Sequence, residues 1–107
     1  MPDDLALIEY LIRNTDGHEP PGVHRDRLAD ALVPPGFGCQ AIEGWGDFRM
    51  RCRAAEVSFS MEPPGWQVTI EGPMAEPDGD QLVGAIAEQL GRFCGEPCEW
   101  LGFGVSA

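Results

Sequence analysis

The chain has 107 residues, with 18 Asp and Glu set against seven Arg and no Lys, for a formal net charge of -11. Its length suits one domain over residues 1–107 with a single core, and 43% hydrophobic content with three Trp and five Phe excludes disorder throughout. The charge excludes direct binding to duplex nucleic acid and disfavours anionic membrane surfaces, both of which need several phosphates neutralised by Lys or Arg.

In chain order, residues 3–13 are predicted as a helix. Leu5, Ile8, Leu11 and Ile12 recur at helical spacing, and Asp3 and Asp4 suit the positive N-terminal end. Asn14 to Gly17 stops it, and a loop follows through Pro20-Pro21-Gly22. A short helix is expected over 24–33, with Leu28, Ala31 and Leu32 inward, ending before Pro34. A strand is expected over 37–43, then a hairpin loop, Gly44-Trp45-Gly46-Asp47.

Strong alternation follows. Phe48, Met50 and Cys52 share a face, as do Val57, Phe59 and Met61, and then Trp66, Val68 and Ile70. The apolar parity switches between Cys52 and Val57, so one extra residue or a turn must intervene at Ala54-Ala55. Ala-Ala has poor turn chemistry, which favours a bulge in one long strand. Pro63-Pro64-Gly65 separates that strand from the next. An acid- and proline-rich loop, Pro73 to Asp78, leads to a helix over 80–94. Asp80 is its expected N-cap and Gly95 its C-cap. Leu82, Val83, Ile86, Ala87, Leu90, Phe93 and Cys94 form its inward arc. A last strand over 98–105 sets Leu101, Phe103 and Val105 opposite Cys98, Trp100, Gly102 and Gly104. The order α-α-β-β-β-α-β implies an α+β fold of two layers, with about four mostly antiparallel strands and helices on one face.

The stretch contains no apolar run long enough to span a membrane. The N-terminus lacks a basic n-region, so a cytoplasmic location is expected, with Cys39, Cys52, Cys94 and Cys98 reduced. Arg as the sole cation, with abundant Ala, Gly and Pro, matches the codon bias of a GC-rich bacterial genome. No zinc-type ligand pairing is present, and Asp16, His18, Glu19, His24 and Asp26 read as a polar surface loop; no metal or cofactor is expected. No nucleophile motif or HExxH is present, and the expectation is a protein that is not an enzyme.

Residues 54–91 hold seven acids and no base. Glu71, Glu76, Asp78 and Asp80 are therefore the candidate recognition surface for a basic protein partner, with Trp45 as an apolar anchor. In charge and size the chain resembles small acidic inhibitors of nucleic-acid enzymes, such as immunity proteins and nucleic-acid mimics. By element order it also resembles secretion-type chaperones. A third reading makes it a small-ligand binder or enzyme using Arg49, Arg51 and Arg53, which line one strand face, with Trp100 if the last strand joins the same wet side. The plainer reading of those arginines is cross-strand pairing with Glu56, Glu62 or Glu71.

Overall fold

A computed structural model describes residues 7–106. The architecture is α+β. The elements are β1 (Leu7–Asn14), α1 (Leu28–Leu32, entered through a 3-10 turn at Arg25–Arg27), β2 (Cys39–Ala41), β3 (Phe48–Cys52), β4 (Ala55–Glu62), β5 (Gly65–Glu71), α2 (Glu76–Cys94) and β6 (Cys98–Ser106). The strands form one antiparallel sheet in the order β2-β3-β4-β5-β1-β6. The sheet thus has six strands where about four were expected.

The predicted helix over 3–13 is the largest correction. Residues 3–6, with Asp3, Asp4 and Leu5, lie outside the described residues; from Leu7 the chain is strand β1. Its apolar residues satisfy two periods at once. Ile8, Tyr10 and Ile12 alternate and are all buried, and their β-branched or aromatic shapes suit a pleated surface. The choice is made by β5 and β6, which both pair with β1 and leave it central in the sheet.

The bulge expected at Ala54-Ala55 is instead a tight turn. Cys52 pairs with Ala55, and Arg53-Ala54 form the two-residue connection of a β3–β4 hairpin. Arg53 supplies the chirality the turn needs with φ +59. The face assignments survive this change, because both hairpins keep the apolar sets in register. Phe48 faces Phe59 and Met50 faces Val57. Phe59 then faces Val68 and Val57 faces Ile70. Tyr10 and Ile8 continue those rows on β1.

Helix α2 lies across this apolar face and buries Gly79, Leu82, Val83, Ile86, Ala87 and Leu90. Each large side chain removed from water here stabilises by about 1.5–3 kcal/mol. The helix starts at Glu76, four residues before the predicted cap. Ala75 is the N-cap, Pro77 sits in the first turn, and Asp80 is inside the helix. Gly95 caps the other end with φ +74, donating its N–H to Gly91 O. Phe93 was expected inward but is 37% exposed, with the Arg27 guanidinium 5.0 Å from its ring centre. Cys94 is half-buried. Two contacts fasten the loops to this layer. Trp66 Nε1 donates to Pro21 O, and Gln89 Nε2 donates to Asp30 O and Val33 O at the end of α1.

The expectation of four reduced thiols fails at Cys39 and Cys52, which form a disulfide; Cys94 and Cys98 are free. The reason is register. Pairing of β2 with β3 sets Cys39 directly opposite Cys52, a relation that depends on strand pairing and not on sequence spacing. No helix among the described residues is long and apolar enough to cross a membrane.

Candidate functional site

The face of the sheet away from the helices carries the polar parity of β3, β4 and β5, joined by that of β1. Two transverse rows cross it. One runs Arg49, Ser58, Thr69, Glu9; the other runs Arg51, Glu56, Glu71, Leu7. Cross-strand neighbours stand about 5 Å apart, so each row is a chain of touching side chains.

In the second row, two carboxylates face each other, Glu56 and Glu71. Arg49 resolves the repulsion from the adjacent row. Its Nη2 donates to Glu56 Oε1 at 2.7 Å and to Glu71 Oε1 at 3.4 Å, and its Nε donates to Glu56 Oε1 at 3.2 Å. Arg51 Nη2 donates to the other oxygen of Glu56 at 3.1 Å. Hydrogen bonds from Arg49 and then Arg51 hold the Glu56 carboxyl below its ordinary range.

Trp45 closes this network from above. Its ring centre lies 5.0 Å from the Arg49 guanidinium carbon, while the residue stays 59% exposed. The local sequence explains the placement. Gly46, with φ +94, lies so close to β4 that a Cβ there would sit 2.9 Å from Phe59 O. Asp47 then fastens the loop, donating its N–H to Phe59 O and accepting from Met61 N with its carboxylate. The Trp between two glycines is thus folded back over the wet face of the sheet. Beneath it lies an open concavity of about 440 Å³ whose lining includes Trp45, Ser58, Thr69, Glu9, Glu71 and Leu7. Among the described residues two buried side-chain polar atoms have no hydrogen-bond partner, Ser58 Oγ and Arg49 Nη1, and they belong to cross-strand neighbours.

The sequence-predicted sites are only partly assembled. Of the recognition set, Glu71 and Trp45 meet at this concavity. Glu76 and Asp78 sit instead in the first turn of α2, exposed, at the helix end that favours negative charge. Asp80 is half-buried and accepts a hydrogen bond from Tyr10 Oη at 2.9 Å. Burial, and then Asp80, push the Tyr10 phenol well above its ordinary pKa. Of the alternative set, only Arg49 and Arg51 share a face, and both are paired with carboxylates. Arg53 leaves the row with the turn. Trp100 lies on the helix side, opposite Ile12 and edge-to-face with Tyr10, because β6 enters the sheet with Leu101 against Leu11 on the outer face. Glu9, within the helix expected over 3–13, stands instead opposite Thr69 on β1. Ser58 and Thr69 were legible only as the polar side of two alternating runs.

A second hollow of about 550 Å³ separates α2 from β6 and includes Gly84, Gly91, Cys98 and Trp100 in its lining. Burial, with Cys94 and Glu96 nearby, pushes the Cys98 thiol up to about 11, so it stays protonated near neutral pH. That is the reverse of what a nucleophile requires. Among the described residues no three His, Cys, Asp or Glu side chains converge to hold a metal ion. Comparison with protein-family models, with curated proteins and with solved structures finds no match.

Proposed function

We propose that this protein is a non-catalytic, acidic binding module that engages a basic protein partner, in the manner of an inhibitor or immunity protein. The supporting observation is how the positive charges are disposed. Five of the seven arginines are paired with carboxylates, namely Arg13, Arg27, Arg49, Arg51 and Arg92. Among the described residues the surplus negative charge therefore stands unpaired, notably at Glu76 and Asp78 on α2 and at Glu9 on the outer sheet face, while Glu71 shares Arg49 with Glu56. A surface of this kind steers a basic partner and accelerates encounter. The pairing of Arg49 and Arg51 with Glu56 removes the basic face on which the small-ligand reading rested. The secretion-chaperone reading rested on an order beginning with a helix, and the first described element is a strand.

The test is kinetic. The partner is captured with the full chain from its native host, and association is followed as a function of salt for wild type and for the double variant Glu76→Lys, Asp78→Lys. The expected result is a basic partner, slower association of the variant at low salt, and a flatter salt dependence. Association of the variant at the wild-type rate in low salt refutes the proposal.

A further inference from the structure

The geometry points to the concavity beneath Trp45 as a pocket for one cationic side chain, a lysine or arginine presented by the basic partner. This rests on the binding-module reading above and names the place where that partner inserts. Three observations carry it. First, among the described residues the only charged groups lining the hollow are the carboxylates of Glu9 and Glu71. Arg49, which stands across the strands from Ser58, is already paired with Glu56 at 2.7 Å and more loosely with Glu71 at 3.4 Å. Secondly, Ser58, only 2% exposed, is among the lining residues, and its Oγ has no hydrogen-bond partner among the described residues. A buried hydroxyl without a partner is rare in a folded protein. Its lone pairs suit an ammonium or guanidinium donor entering between the two carboxylates. Thirdly, Trp45 already demonstrates the recognition internally. Its ring accepts the Arg49 guanidinium, and the residue is more than half exposed and lines the hollow. Leu7 supplies apolar surface for the methylene stem of the incoming chain.

An anionic ligand is opposed by both carboxylates, and a purely apolar one leaves Ser58 Oγ and the two carboxylates desolvated without compensation. A cation satisfies all of them.

The test uses the full chain, labelled with ¹⁵N, and blocked pentapeptides of four glycines around a central Lys, Arg, norleucine or Glu. The Lys and Arg peptides are expected to bind saturably in the millimolar range. Shifts should be confined to the Trp45 indole N–H and the amides of Glu9, Ser58, Thr69 and their neighbours. The norleucine and Glu peptides should not saturate. Trp45→Ala and Glu9→Gln should each weaken the Lys peptide about fivefold, the loss of one cation–π or ion-pair contact. Ser58→Ala should weaken it with unchanged amide shifts elsewhere, which separates a lost contact from a lost fold. Equal binding of the norleucine or Glu peptide, absence of saturable shifts, or shifts centred on Glu76 and Asp78 each overturn the pocket. Neither Glu76 nor Asp78 lines the hollow, so the salt kinetics of their reversal judge the binding-module reading separately.

Discussion

The contact between Tyr10 and the first turns of α2 permits a test of the tertiary arrangement in which two substitutions must interact. Gly79 is buried in α2, and a Cβ there would stand 2.6 Å from Tyr10 Oη, 3.3 Å from Ile8 Cδ1 and 3.5 Å from Ile70 Cδ1. The aliphatic tips can turn aside. The phenol cannot move easily, being 1% exposed and hydrogen-bonded to Asp80. Gly79→Ala should gain about 1 kcal/mol of helix propensity but lose about 1–3 kcal/mol to overpacking against the oxygen. Its net effect should lie between neutral and about 2 kcal/mol destabilising. Tyr10→Phe removes the offending atom together with its hydrogen bond to a carboxylate, costing about 1.5–3 kcal/mol. In that background Gly79→Ala keeps its propensity gain without the clash and should stabilise by about 1 kcal/mol. The coupling between the two sites is therefore about 1–3 kcal/mol and favourable, measured by urea denaturation of the four proteins of a double-mutant cycle. Additivity to within about 0.5 kcal/mol would mean that the Tyr10 oxygen does not abut Gly79, and the docking of α2 on β1 would have to be revised.

Three further outcomes are expected. Phe59→Ala, at a fully buried position between Phe48 and Val68, should cost about 3–5 kcal/mol. Phe93→Ala should cost less, about 1–2 kcal/mol, since the ring is 37% exposed and only partly withdrawn from water beside Arg27; equal losses in chemical denaturation would contradict the orientation of α2. Replacing Cys39 and Cys52 by Ser opens a link between residues 13 apart and should lower stability by about 3 kcal/mol, on the loop-entropy account of a closure this size. An unchanged urea midpoint on reduction would show that the link constrains nothing. The pH dependence has two arms. Glu56, held below its ordinary 4.5 by Arg49 and Arg51, stabilises the fold above that value, and the contribution is lost as pH falls below it. Cys98 and Tyr10 are raised above their ordinary 9.0 and 10.0, so their contributions are complete below those values and are lost as pH climbs past them. Glu56→Gln should flatten only the acid arm of a stability–pH curve, and Cys98→Ala only the alkaline one.

Much of the sheet and its chief helix was legible in the chain because each periodicity there admits one solution. Phe48 to Ile70 alternates too regularly for a helix, and Leu82 to Leu90 recurs too regularly at 3.6 residues for a strand. The Pro63-Pro64 turn and the Gly95 cap follow from the same local chemistry. Local rules stop where two solutions coexist. Leu7 to Asn14 fits a helix or a strand, and only the unfilled edges of β5 and β6 select the strand. The Arg53 turn breaks the ordinary residue preference at φ +59, and pairing of Cys52 with Ala55 enforces it.

The site depended still more on long-range pairing. Acidity and the glycine-flanked Trp45 were plain in the sequence, but the direction of each charge was not. Asp80 turned from a cap into a partner for Tyr10, 70 residues away. Trp100 turned away from the arginines because a single register, Leu101 against Leu11, decides which face each β6 residue takes. The row Arg49, Ser58, Thr69, Glu9 draws one residue from each of four strands. Composition decided how much charge the protein carries, since that is a sum over residues. The positions of the charges belong to the tertiary structure, since strand register is set by the burial of the opposite face and carries the outer side chains along with it.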